Sequence, residues 1–186
     1  LYTLATTDKL INAGSGMCTA SVAQTLDANS IPNPTSNVDG NNPRGYAIGL
    51  VNKYGWKSIG GTPTPLSGGD GSASLGIMSH SDYSKNSAAG NVPSGAIVFS
   101  TRHPDWLGNS SSGYDTAISR NGGKNLFNGT MWGDSIYGNT TSNMVLVPKD
   151  STLKGNFTSS SGSGSGDGGG SGDMATAPKN FMETLM

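Results

Sequence analysis

The sequence contains few charged residues, one cysteine and no long apolar run. Only 12% of its 186 residues are Asp, Glu, Lys or Arg, about half of the usual share of roughly 25%. No cluster of basic residues is present, which excludes the phosphate-neutralising surface of a nucleic-acid-binding protein. No segment approaches the roughly 18 consecutive apolar residues of a membrane-spanning helix. Cys18 has no partner cysteine in the chain, and we predict that it is a small buried hydrophobic residue.

Glycine, serine, threonine and asparagine take the place of the missing charges. The 29 glycines are about twice the average share of roughly 7%, and polar loops separate short apolar segments. The pattern predicts a mainly β fold with short N-terminal helices, of the α+β class. The predicted strands are two within GYAIGLVNKYGWKSIG (45–60), then SASLGIMSH (72–80), SGAIVFST (94–101) and MVLVP (144–148); the predicted helices are TTDKLINAG (6–14) and TASVAQTLDAN (19–29); the predicted loops are 33–44 and 81–91.

Histidine is also scarce, and the two histidines each belong to a His-x-Asp pair. These pairs are His80 with Asp82 and His103 with Asp105. In an extended segment residues i and i+2 point the same way, so each pair is a weak candidate for a metal site. We favour a solvated polar pair, and we find no nucleophile-elbow or metalloprotease motif. The sequence therefore predicts a protein that is not an enzyme and has no cofactor.

The aromatic residues are more informative than the charges. Tyr114, Trp132 and Tyr137 lie in or beside polar, glycine-rich loops, where flat rings commonly stack on sugars. We predict that these three residues bind a receptor. Trp56 and Trp106 adjoin short apolar stretches, and we expect both in the core.

A series of motifs in residues 92–157 follows the order of a known family. In PSGAIVF (93–99) a segment with Pro and Gly precedes an apolar strand, and a Trp-Leu pair follows. The remaining matches are an arginine, a Leu-Phe pair, a Tyr-Gly turn and a closing strand with its loop. They are Trp106-Leu107, Arg120, Leu126-Phe127, Tyr137-Gly138, Val147-Pro148, Asp150, Gly155 and Phe157. In these motifs the segment resembles the phage tail collar domain of short tail fibres and tail-tip proteins.

The resemblance implies a structural virion protein of a phage tail, acting in assembly or host receptor attachment. Implied partners are other tail proteins, further copies of the chain in a trimer, and a host surface glycan; nucleic acid and membrane insertion are not expected. The implied location is the tail of the virion. Two alternatives remain, namely a pilin-like or other surface filament subunit, and an extracellular glycan-binding module or hydrolase.

The composition changes along the chain and predicts four segments. Residues 1–91 form an N-terminal β-rich region with short helices, and residues 92–157 form the collar-like module. Residues 158–173 are nearly pure Ser and Gly, typical of a flexible linker. Residues 174–186 carry apolar side chains at helical spacing, and we predict a C-terminal docking peptide.

Overall fold

A computed structural model describes residues 2–34, 42–107 and 112–151. In this part of the chain four α-helices and one 3₁₀ turn accompany eight strands of a single antiparallel sheet. The helices are α1 Tyr2–Thr6, α2 Cys18–Ala28, α3 Pro43–Tyr54 and α4 His80–Ala88, and the 3₁₀ turn is Asn121–Gly123. The strands are β1 Lys57–Ser58, β2 Thr62–Gly68, β3 Gly71–Ser79, β4 Ile97–Thr101, β5 Tyr114–Arg120, β6 Asn125–Phe127, β7 Met131–Trp132 and β8 Ser142–Val147.

The sheet has the strand order β2-β3-β8-β4-β5-β6-β7, and β1 pairs with the end of β8 that β3 leaves uncovered. The predicted β-rich α+β class is confirmed. The strands predicted in 72–80, 94–101 and 144–148 are β3, β4 and β8, and the helix predicted in 19–29 is α2.

At one edge, β2 contains Pro63 and Pro65, residues that lack the N–H needed to pair with a further strand.

Both faces of the sheet are covered. Alternate residues of β4 and β8 enter two different hydrophobic clusters, because successive side chains of a strand point to opposite faces. One cluster includes side chains of α2 and α3, and the other includes Tyr83 of α4. Trp56 and Trp106 are buried in the first cluster, which confirms that both belong to the core. In the described residues no helix is long and apolar enough to cross a membrane.

The first half of GYAIGLVNKYGWKSIG is a helix, so its prediction as a strand was wrong. Asn42 caps α3 by accepting a hydrogen bond from the Gly45 amide at 3.1 Å, and Pro43 occupies the first turn. Gly55 ends the helix in the left-handed conformation, at φ 72°. These two end signals favour a helix, although Tyr46, Ile48 and Leu50 alternate as in a strand. The helical spacing of apolar residues is not visible in the sequence because α3 is buried on most sides and has no clear polar face.

Two other predictions of local structure were also wrong. The segment predicted as a loop at 81–91 is largely α4, whose N-cap Ser79 accepts a hydrogen bond from the Asp82 amide. The first helix lies at Tyr2–Thr6, whereas most of TTDKLINAG is irregular. In that irregular segment, backbone amides are bonded by side chains, as in the contact of Ile11 N with Thr25 Oγ1 at 2.9 Å.

Strands from both sides of the predicted boundary between residues 91 and 92 belong to one sheet. Strands β1 and β3 from the first segment pair with β8 from the second. The principal core cluster likewise combines residues from Leu4 to Leu146. The linker 158–173 and the docking peptide 174–186 lie outside the described residues, as do Gly155 and Phe157 of the closing motif.

Candidate functional site

The three predicted receptor-binding residues Tyr114, Trp132 and Tyr137 line one open cleft. They come from the start of β5, from β7 and from the loop after β7. The opposite wall is the segment that leads into α2. The described residues of the lining are Asn12, Gly14, Ser15, Gly16, Met17, Cys18, Ser112, Gly113, Tyr114, Asp115, Asn128, Gly129, Thr130, Trp132 and Tyr137. The structure thus brings together side chains that are distant in the sequence.

The three aromatic rings differ in how much of each faces solvent. Trp132 is 42% exposed, and it is the ring best placed to stack on a ligand. Tyr114 is buried, and its ring packs on Trp106 with 5.4 Å between centroids. It is therefore a core residue as well as part of the cleft wall. Tyr137 is half-buried, and the Arg102 guanidinium carbon lies 5.5 Å from its ring centroid.

A chain of hydrogen bonds connects the exposed indole to a buried carboxyl at the cleft. Trp132 Nε1 donates to Asn128 Oδ1 at 2.8 Å, and Asn128 Nδ2 donates to Asp115 Oδ1 at 2.9 Å. An indole N–H can only donate, so it fixes the amide oxygen of Asn128 as the acceptor and leaves the amide nitrogen for Asp115. The carboxyl of Asp115 is thereby held in one orientation.

Asp115 is the one carboxyl among the described residues that line the cleft, and its pKa is shifted. Burial raises the pKa of Asp115 to about 7, and hydrogen bonds from Asn128 and from the Cys18 thiol oppose that rise only in part. Its Oδ2 atom accepts no hydrogen bond from a nitrogen or oxygen donor of the described residues. Burial, followed by the negative charge of Asp115, also raises the pKa of Tyr137 above its usual range. The cleft wall therefore contains a buried carboxyl oxygen that the described residues leave without a nitrogen or oxygen donor.

The β6–β7 turn brings Asn128 and Trp132 close to α2. Gly129 in this turn has φ 119°, and a Cβ added there would lie 2.9 Å from Ser21 Oγ. Only glycine allows the turn to approach the helix this closely without displacing Ser21. Ser21 Oγ in turn accepts the Ala13 amide hydrogen at 2.9 Å, which fixes the opposite wall. Gly129 therefore allows the close packing of this turn against α2 that forms the cleft.

Neither His-x-Asp pair is among the described residues that line the cleft. His80 and Asp82 are in the first turn of α4, not in an extended segment, so their side chains do not share the direction that the metal hypothesis required. The His80 ring nitrogens contact Asn143 Oδ1 at 2.8 Å and Ser84 Oγ at 3.2 Å.

His103 and Asp105 lie in the turn after β4, and the ring centroids of His103 and Tyr114 are 4.7 Å apart. His103 Nε2 is 2.7 Å from the Ser112 carbonyl oxygen, and Asp105 Oδ1 accepts the Leu107 amide hydrogen at 3.0 Å. Among the described residues no three His, Cys, Asp or Glu side chains form a group that could hold a metal ion.

Comparison with family models, curated proteins and solved structures found no match. Sequence reasoning missed Asp115, Asn128 and the cleft position of Cys18. No sequence signal indicated them; Cys18 directly precedes the helical pattern of residues 19–29 and is the first residue of α2 in the structure.

Proposed function

We propose that this cleft binds a neutral saccharide, and that the protein acts in host attachment as part of a phage tail. The observation that carries the binding proposal is the convergence of Tyr114, Trp132 and Tyr137 on one cleft that is also lined by amide and hydroxyl groups. Saccharides present a C–H face to an aromatic ring and hydroxyl groups to polar acceptors. The exposed ring of Trp132 provides the first kind of contact, and the exposed polar side chains of Asn12, Ser15 and Thr130 provide the second.

The chemistry of the lining favours a neutral ligand over an anionic one. None of the described residues that line the cleft is Lys or Arg, and Asp115 is the one ionisable carboxyl among them. A phosphate or sulfate group would therefore meet a carboxyl without a compensating cation. The remaining polar groups are amides and hydroxyls, such as those of Asn12, Ser15 and Thr130, which suit sugar hydroxyls.

The resemblance of residues 92–157 to the tail collar domain supports the phage-tail part of the proposal, including a trimer and contacts with other tail proteins. Mass spectrometry of purified phage particles tests the location, and light scattering after size-exclusion chromatography tests the trimer. A protein that is monomeric at micromolar concentration and absent from particles would rule out this part. Saccharide binding by such a monomer would then indicate the extracellular glycan-binding alternative.

Substitution of Trp132 by alanine is expected to weaken saccharide binding by at least about tenfold, which corresponds to roughly 1.4 kcal/mol. The loss removes the exposed stacking surface and the indole hydrogen bond to Asn128. A glycan array identifies the saccharide, and calorimetry then gives the two dissociation constants. Met131→Ala is the matched control, because Met131 is the neighbouring exposed residue of β7 and does not line the cleft. Equal affinity for wild type and Trp132→Ala would contradict the proposed site.

A further inference from the structure

Two Asn-Gly pairs occur in the sequence, Asn121-Gly122 and Asn128-Gly129. In such a pair the backbone nitrogen of the glycine can attack the side-chain amide carbon of the asparagine, release ammonia and form a five-membered succinimide ring. Glycine leaves the most room for this attack because it has no Cβ. The two pairs share this intrinsic reactivity, so a difference in rate between them arises from their surroundings.

The side-chain amide of Asn128 is held at both of its ends. Trp132 Nε1 donates to Asn128 Oδ1 at 2.8 Å, and the Thr130 amide nitrogen donates to the same oxygen at 3.4 Å. Asn128 Nδ2 donates to Asp115 Oδ1 at 2.9 Å. Donors on a carbonyl oxygen stabilise the negative charge that develops there when its carbon is attacked. A carboxyl that contacts the nitrogen is in place to give the leaving group a proton.

The β6–β7 turn also directs the amide carbon of Asn128 towards its attacking group. The hydrogen bond from Thr130 N to Asn128 Oδ1 closes a ring of atoms that includes Asn128 Cγ and the Gly129 nitrogen. The side chain is therefore folded over its own backbone, as closure of the succinimide requires. Among the described residues, none accepts a hydrogen bond from the Gly129 amide, which leaves this nitrogen available.

The other Asn-Gly pair has none of these features. The Gly122 amide donates to Ser94 Oγ at 2.9 Å, so its nitrogen is already engaged. Asn121 Nδ2 contacts the amide oxygen of Asn125 at 3.3 Å and not a carboxyl. The same dipeptide in the same chain thus provides an internal control for the surroundings of Asn128.

We propose that Asn128-Gly129 is a self-modification site, at which Asn128 is converted to aspartate or isoaspartate through a succinimide. Trp132 and Asp115 are the catalytic residues, because their side chains contact the oxygen and the nitrogen of the reacting amide. Conversion replaces the donor that faces Asp115 by a carboxyl oxygen and adds a negative charge to the cleft. Its effect on saccharide affinity rests on the proposed function, whereas the conversion itself does not.

The reaction balances with water as the only co-reactant. The Gly129 nitrogen forms a bond to Asn128 Cγ and loses its proton to water, while Trp132 donates to the resulting oxyanion. The carbon–oxygen double bond then forms again, the bond from Cγ to Nδ2 breaks, and the Asp115 carboxyl gives its proton to the departing nitrogen, which leaves as ammonia. The proton taken up by water returns to Asp115. A water molecule opens the succinimide at either carbonyl and gives aspartate or isoaspartate.

The protonation of Asp115 gives the conversion a distinctive pH dependence. Burial raises the pKa of Asp115 to about 7, so the carboxyl holds the required proton below that pH. The titratable and charged groups around it are Cys18 of α2 and Tyr137, whose ring lies beside Arg102. An unassisted Asn-Gly pair reacts faster as the pH rises, because the attacking nitrogen must lose a proton. We therefore expect the rate at Asn128 to fall above about pH 7, while the rate at Asn121 rises.

Incubation of the full chain below and above pH 7, followed by proteolysis and mass spectrometry, measures the conversion of Asn128 and Asn121 in the same molecules. Below pH 7 we expect Asn128 to convert at least about tenfold faster than Asn121. Asp115→Asn is expected to slow conversion of Asn128 by roughly 10²-fold. Trp132→Phe keeps an exposed ring but removes the donor, and we expect it to slow conversion by at least about tenfold. Conversion of Asn121 is expected to be unchanged in both variants.

Three results would overturn the proposal. They are conversion of Asn128 no faster than that of Asn121, an unchanged rate at Asn128 in Trp132→Phe, and a rate at Asn128 that rises with pH as at Asn121. Melting temperatures show whether each variant is folded, and Trp132→Phe changes an exposed side chain, so the test does not depend on Asp115→Asn. No saccharide is present, so conversion can fail while glycan binding persists, and the reverse also holds. Failure of the two proposals is therefore distinguishable.

Discussion

Replacement of Trp106 by alanine is expected to lower the free energy of unfolding by about 3–5 kcal/mol, the usual cost of deleting a large buried aromatic side chain. Trp106 is 1% exposed, and its indole N–H donates to Ser142 Oγ at 2.9 Å. Its ring packs on Tyr114, and its carbonyl oxygen accepts a hydrogen bond from Arg44 at 2.9 Å. The substitution thus leaves a cavity and also removes the donor to Ser142 at the start of β8.

Urea denaturation followed by circular dichroism measures this loss. Leu107→Ala is the matched control, because Leu107 is the next residue in the chain and is exposed. We expect it to change the free energy of unfolding by no more than about 0.5 kcal/mol. Equal midpoints for wild type and Trp106→Ala would contradict the core assignment. Because Tyr114 also lines the cleft, Trp106→Ala is expected to weaken ligand binding as well.

The second large effect is expected on the pH dependence of stability, and it arises from Asp115. The pKa of Asp115 is raised to about 7 in the folded protein, against an ordinary value of 3.8. The folded state therefore retains a proton that the unfolded state loses between these two values. Stability from this group is fully present below about pH 4 and is lost as the pH rises to about 7, by an amount on the order of 4 kcal/mol.

Asp115→Asn removes this titration while keeping an oxygen that can accept from Asn128. The free energy of unfolding of wild type relative to Asp115→Asn is expected to fall steadily from pH 4 to pH 7 and to stay constant above that range. Denaturation at a series of pH values measures the difference, and Asp8→Asn, a substitution at an exposed carboxyl, is the control. Parallel wild-type and Asp115→Asn profiles across this range would show that the carboxyl is not protonated on folding.

The strands that form the centre of the sheet could be predicted from the sequence because each contains an uninterrupted run of at least three apolar residues. β4 and β8 are buried along nearly their whole length, and both contain continuous apolar runs. Helix α3 was harder to recognise, because Gly45 and Gly49 lie within it and its alternating apolar residues imitate a strand. Glycine at position 49 is explained by packing, since an added Cβ would lie 2.8 Å from the Pro34 side chain.

The aromatic part of the cleft could be predicted, and its polar part could not. Trp132 and Tyr137 stand out in polar loops, but Asp115 lies in a strand that begins Tyr-Asp-Thr and contains mixed polar and apolar residues. Its partners Cys18 and Asn128 come from α2 and from the β6–β7 turn, which only the tertiary fold brings together. No local pattern indicates that one carboxyl is buried between a thiol and an amide.

The most direct test of the cleft as the binding site is the response of the three tryptophan indole N–H resonances to saccharide in a ¹⁵N correlation spectrum. Trp56 and Trp106 are buried in the core, whereas Trp132 lines the cleft. On titration with the saccharide identified by the array, we predict a large shift of the Trp132 indole resonance and little change in the other two. Saturation of the protein without a shift at Trp132 would contradict the account.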